Sequence, residues 1–226
     1  MRTIVLAGSL LLPSSLAGQE APGKPDLLPL ACESAIALAA APPHLRAEAT
    51  VYVLGETGFE TVHEGSNGFA CIVNRDHPRV LKPTCFDAEG ARTIVPKILF
   101  FGQQLMAGKS VPAIRSEIAS GFEDGTFVRP GKAGVAYMLS NFNRPYNRQA
   151  DRLGWFPPHY MFYAPDLTTA DLGTTREARA ANSELPFVAY QGPHGFVVMM
   201  AQNRSGPDPS EFAMCPAWVS DGLPEG

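Results

Sequence analysis

The chain has 226 residues, of which 18 are basic and 22 acidic, giving a formal charge of −4. That balance lacks the cationic excess by which nucleic-acid binders meet phosphate, and no polybasic block offers itself to an anionic membrane. Apolar residues make up 45%, enough to bury a sizeable core.

Met1-Arg2-Thr3 precedes an uncharged stretch from Ile4 to Ala17 whose apolar run, Ile4 to Leu12, is too short for a bilayer anchor. Pro13 and two serines loosen the chain before Ser15-Leu16-Ala17, small residues where a signal peptidase reads them. The expectation is cleavage near Ala17 and a mature chain starting at Gly18. The competing reading, an N-terminal core helix, is opposed by Pro13 and by the prolines that follow. Residues 1–17 are thus assigned to an export signal, 18–29 to a Pro/Gly-rich segment and 30–226 to one domain. No cysteine sits at the cleavage point, and no later stretch nears the ~20 apolar residues of a membrane span. The expected location is periplasmic or extracellular, as a soluble chain. Removing 17 of the 226 residues leaves 209 and takes away Arg2, so 17 basic residues face 22 acidic ones and the charge becomes −5.

Leu30 to Ala41 is Ala-rich, begins after Pro29 and stops at Pro42-Pro43, a helix with Cys32, Ile36 and Ala39 along its core stripe. A β meander is expected next. Thr50 to Leu54 leads through Gly55-Glu56-Thr57-Gly58 into Phe59 to His63, and Asn67-Gly68 supplies a hairpin turn before Phe69 to Val73. Residues 74–90 read as a loop. The period then changes: Ile94, Ile98, Phe101 and Leu105 form one row and Val95, Leu99 and Met106 another, a helix ended by Gly108. Ser110 caps a second helix that stops at Gly121, completing an inserted helical hairpin. Strands are expected over Val135 to Leu139 and Tyr160 to Ala164. Phe187 to Gln191 and Phe196 to Met200 form a hairpin around Gly192-Pro193-His194-Gly195. The fold class is α+β, a mostly antiparallel sheet with an N-terminal helix and the inserted helical hairpin.

Four cysteines, at 32, 71, 85 and 215, are an even count suited to two disulfides, and three pairings can be drawn. Cys71 and Cys85 are 14 apart and flank a Pro-containing excursion. They are paired here, which leaves Cys32 with Cys215. Without a CxxC, neither zinc binding nor thiol redox chemistry has its usual spacing.

Ser34-Ala35-Ile36-Ala37, Pro43-His44-Leu45-Arg46, Ala49-Thr50-Val51-Tyr52-Val53-Leu54 and Gly65-Ser66-Asn67-Gly68-Phe69-Ala70-Cys71 resemble the N-terminal half of a group of exported bacterial proteins of unknown function. The likeness runs over residues 30–90, with a looser echo at Pro158 to Pro165. It implies a bacterial source and an exported domain, and it brings no activity or catalytic residue.

Five of the six tyrosines lie between Tyr137 and Tyr190, with Trp155, Phe156 and Phe162. His159 at a strand start and His194 in a hairpin turn are the candidate catalytic pair. If they met at one sheet rim they could share a metal, with Asp151, Asp166 or Asp171 as third ligand, or share acid–base work. The bland alternative is that both only close turns beside prolines. Arg144, Arg148 and Arg152 recur every four residues; on a helix opened by Pro145 they could receive an anion, although a solvated polar face has the same spacing. Trp155, Tyr160 and Tyr163 are the candidate ligand platform, against burial in a β core. No Gly-x-Ser-x-Gly elbow occurs, and no cofactor or metal is expected.

Three functions from different classes follow. The first is a non-catalytic exported domain that binds a small ligand or a partner at the cell envelope. The second is a metal-assisted or acid–base hydrolase or lyase built on His159 and His194. The third is a structural envelope protein. The sequence leaves open whether the chain is an enzyme, and its oligomeric state.

Overall fold

The computed structural model describes residues 23–147, 150, 152–201 and 212–220. The expected export signal, residues 18–22, Arg148 and Asp151 lie outside the described residues.

Pro29 precedes α1 (Leu30–Ala39), and Pro42 and Pro43 stop it and open the single turn α2 (Pro43–Arg46). Strands β1 (Thr50–Gly55) and β2 (Gly58–His63) form an antiparallel hairpin. Then come β3 (Ala70–Asn74), β4 (Lys82–Phe86), α3 (Ala88–Thr93), α4 (Val95–Met106) and α5 (Val111–Glu123). The Asp87 side chain caps α3 through the Gly90 N–H, and Ser110 caps α5 through the Ala113 N–H. The second half holds β5 (Val135–Met138), β6 (Tyr146–Asn147), β7 (Arg152–Leu153), β8 (His159–Tyr163), α6 (Arg176–Ala181), β9 (Phe187–Ala189) and β10 (Phe196–Met200).

Among the described residues, eight strands join in one sheet in the order β2-β1-β3-β4-β5-β8-β10-β9, with β6 and β7 paired apart. The only parallel pairing in that sheet is β1 with β3. The α+β class and the mostly antiparallel sheet are as expected, with helices over both faces. Two expectations are corrected. The meander does not form: the turn at Asn67-Gly68 is real, Gly68 having φ +78°, yet β3 crosses over and pairs with β1 rather than β2. The loop over 74–90 contains β4 and the start of α3.

Alternation along the strands makes two cores. On one face Val51, Val53, Cys71, Val73 and Cys85 pack with Cys32, Ile36 and Ala37 of α1 and with Phe142 and Phe212. On the other Ile72, Phe86, Ala136, Met161 and Val198 meet Ile94, Val95 and Ile98. Each fully buried large aliphatic contributes about 1.5–3 kcal/mol. A third cluster of Leu105, Val111 and Ile114 joins α4 to α5.

All four cysteines are bonded, Cys32 to Cys215 and Cys71 to Cys85, the pairing read from the sequence. Cys71 and Cys85 sit directly opposite each other on β3 and β4. No helix among the described residues is long and apolar enough to cross a membrane.

A buried ion pair lies on the α1 face. Glu33 and Arg75 are both 0% exposed, with Arg75 Nη2 donating to Glu33 Oε2 at 3.1 Å. Glu33 Oε1 also accepts the Leu54 N–H at 3.3 Å. Burial pushes the Glu33 carboxyl up, with the guanidinium pulling against it, and burial likewise pulls Arg75 down. The signal was present in the sequence: Glu33 occupies the stripe of Ile36, Ala37 and Ala40, and a carboxylate on an apolar stripe requires a partner.

Candidate functional site

His159 and His194 are both buried, and each has one ring nitrogen tied to a carbonyl. His159 Nδ1 donates to Pro157 O at 2.8 Å, which leaves the lone pair on Nε2. His194 Nε2 donates to Val128 O at 2.8 Å, and its buried Nδ1 has no partner among the described residues. Burial lowers both; for His194 burial first, then the charge on Lys97, pushes the imidazole down to about 4. Both rings are neutral near pH 7. The register of β8 with β10 separates them: His159 lies opposite Met200 and Phe196 opposite Tyr163, so His194 falls beyond the far end of the pair. His194 is six residues from Met200, and the five-residue strand between them alone spans roughly 15 Å at ~3.3 Å per residue, too far for one ion to touch both rings. Among the described residues there is also no group of three or more His, Cys, Asp or Glu that could hold a metal. The structure thus does not bring the candidate catalytic pair together.

The aromatic platform is likewise dispersed. Tyr160 and Tyr163 are three residues apart on β8, so they point to opposite faces. Tyr160 meets Tyr137 edge-on on the α1 side. Tyr163 is buried on the other side, its hydroxyl donating to Asp87 Oδ1 at 2.7 Å with Val135 O at 2.9 Å. Burial first, then the Asp87 carboxylate, raises this phenol far above its usual range. Because Asp87 also caps α3 and accepts the Val135 N–H, the cluster ties α3, β5 and β8 together. Trp155 is half-buried and donates its indole N–H to Asn141 O at 2.8 Å.

Arg144 and Arg152 do not share a helix. Arg144 bridges to Leu81 and is buried, its guanidinium donating to the carbonyls of Trp218 and Val219, the latter at 2.7 Å. Arg152 is exposed on β7, paired opposite Asn147. Arg144 is used to hold the turn at Ala217–Val219, and Arg152 falls on a β strand instead of a helical face.

One amine is set apart from the others. Lys97 on α4 is half-buried and is pushed down to about 8, first by burial and then by the charge of Lys82, which is itself paired with Asp76 at 2.7 Å.

The concave surface lies elsewhere, at the end of the sheet. β2 is the terminal strand, and its outer edge has no strand partner among the described residues. A hollow lies on each side of it. On the α4 side a concavity of about 370 Å³ is lined by Thr57, Gly58, Phe59, Leu99, Phe100 and Gln103. On the α1 side one of about 280 Å³ is lined by Leu30, Ser34, Leu38, Arg46, Val62 and His63, together with Ala47 and the buried Val51.

Two glycines set the first hollow by letting α4 lie close over β2. A Cβ on Gly102 would meet the Phe59 ring at 2.5 Å. Gly58, at φ +140°, lies where a Cβ would be 3.1 Å from Gln103 Cα. On the second side Leu30 and Val62 are exposed apolar side chains. A bulge between the pairs Val51–His63 and Tyr52–Thr61 turns both Val62 and His63 toward that hollow. The rim is acidic: Glu48, Glu56, Glu60 and Glu64 are exposed, and residues 47–74 contain no lysine or arginine. Glu48 accepts the Ser66 hydroxyl, which draws the loop after β2 back against the start of β1.

Compared with family models, curated proteins and solved structures, the chain matches none.

Proposed function

We propose that this chain is an exported, disulfide-stapled, non-catalytic binding domain that engages a partner at the cell envelope through the edge of β2. One observation carries the reading: a terminal strand with an open hollow on each face. Unpaired backbone N–H and C=O groups along such an edge are a template for another strand, and pockets on either side receive its alternating side chains. Shallow hollows of this kind suit side chains of a partner better than a small ligand, which is ordinarily enclosed on most sides.

Export is supported by Arg2 followed by the short apolar run, by the small residues before Gly18, and by two bonded cysteine pairs, which persist in oxidising compartments. Protein recovered from the periplasm or medium is expected to begin at Gly18; a chain still carrying Met1 there would refute processing near Ala17.

The contact face is tested with a photoreactive side chain placed at Val62, at Gln103 and, as a control on the opposite edge, at Tyr190. Discrete adducts in intact cells are expected from the first two and not from the third, and Thr61→Pro should abolish them by blocking the ladder. Equal labelling at all three positions, or adducts indifferent to Thr61→Pro, would reject β2 as the contact.

A further inference from the structure

The chemistry of the partner can be read from the same edge, an inference that rests on the β2 reading above. A strand added to β2 sends successive side chains to opposite faces of the sheet. On the α4 face it would meet Phe59, Thr61 and the hollow under Phe100, an environment without charge. On the α1 face it would meet Glu60, which pairs across β1 with Val53, and then the apolar hollow at Leu38 and Val62. Glu56 and Glu64 flank the two ends. Arg46 lines the inner part of the α1 hollow, with its guanidinium engaged by the Ala41 carbonyl at 2.9 Å and the Ala39 carbonyl at 3.4 Å.

The other natural occupant is a second copy of β2. Antiparallel self-pairing centred on Glu60 sets Glu60 against Glu60 and Glu56 against Glu64, and like charges directly opposed are destabilising. The edge thus discourages its own kind while keeping both hollows open.

We infer that β2 accepts, by strand addition, an extended cationic segment of a partner protein in which lysine or arginine alternates with small apolar residues. The small apolar side chains face the uncharged α4 hollow, whose lining includes Thr57 and Gln103, and on the other face a cation meets Glu60 beside the apolar hollow at Leu38 and Val62.

The test uses the disulfide-bonded protein and three capped nine-residue peptides: alternating Lys and Val, alternating Glu and Val, and the Lys–Val peptide with a central proline. Amide hydrogen exchange is followed residue by residue. The Lys–Val peptide is expected to slow exchange across residues 59–62 at least tenfold, and the proline peptide is expected to do nothing. Glu60→Gln with Glu64→Gln, exposed substitutions that leave the fold intact, should weaken the Lys–Val peptide several-fold. Equal protection of β2 by the Glu–Val peptide would overturn the cationic partner while sparing β2 as the contact face. Absence of protection by either peptide would remove both readings. Protection of β2 that rises with protein concentration alone, with a dimer in sedimentation, would assign the edge to a second copy and overturn the inference.

Discussion

The layer formed by α1 and the layer formed by α3 and α4 cover opposite faces of one sheet but are fastened by different means. α1 reads LACESAIALA, and its alanines bury little area apiece. On that face the packing is supplemented by both disulfides and by the Glu33–Arg75 pair. The opposite layer offers Ile94, Val95 and Ile98 against Ile72, Phe86, Met161 and Val198, and holds by apolar burial and the Asp87–Tyr163 cluster. The difference teaches that a thin helical layer can be kept in place by cross-links where side-chain volume is scarce, much as small domains compensate for small cores.

The contrast breaks most readily at the outer bridge. Cys32→Ala with Cys215→Ala opens a loop of 183 residues and should cost about 4–5 kcal/mol in a urea titration, against about 3 for the inner bridge. Amides of α1 should lose exchange protection first while Ile98 and Leu105 keep theirs. If both helices lose protection together, the two faces are one cooperative unit and the contrast fails.

A somewhat smaller loss is expected at the ion pair. Arg75→Met strands a buried carboxylate and should cost about 3–5 kcal/mol, whereas Glu33→Met combined with Arg75→Met should recover more than half of that. A double variant no better than the single one would show that the charges themselves hold α1 down.

The smallest effect probes the other side. His194 has a usual pKa of 6.5 and is held at about 4 in the fold. Between those values the unfolded chain takes up a proton that the folded chain refuses, so stability falls as pH drops from 6.5 toward 4 and is unaffected by this group above that window. The drop should be roughly 1–3 kcal/mol, and His194→Gln should flatten it. An unchanged pH profile in that variant would show that His194 is not the group responsible.

Much of the fold was legible in the sequence because local pattern and tertiary role agree there. The β-branched run at Thr50–Gly55, the two periodic helices Val95–Met106 and Val111–Glu123, and the hairpin of β9 and β10 lie within a residue or two of expectation. β4 was hidden by Pro83, which reads as a strand breaker. It is tolerated because β5 pairs with β4 only at Cys85 and Phe86, so the ladder on that side does not reach Pro83. The four-residue recurrence of Arg144, Arg148 and Arg152 suggested a helix, yet the bridge to Leu81 and the β6–β7 pairing put Arg144 and Arg152 in extended backbone.

The candidate site was not legible for a related reason. In a meander β2 would be an inner strand with both edges used. Only the crossover that seats β3 beside β1 leaves β2 terminal, and no local residue pattern encodes which side of a hairpin a later strand will take. The residues that could have drawn attention are Glu56, Glu60 and Glu64, charges of one sign spaced along a strand otherwise free of cations.

The nesting of the two bridges, Cys71–Cys85 inside Cys32–Cys215, has a consequence for maturation. A chain that emerges N-terminus first presents Cys71 to Cys32 long before residue 215 exists. If Cys71 bonds Cys32 before Cys85 arrives, 14 residues later, the first bridge is non-native, and the native connectivity then needs a thiol exchange that frees Cys32. The outer bridge is the seal on a finished sheet, and in a compartment that oxidises without isomerising any chain that had made the early bridge would keep its first helix tied to the wrong strand.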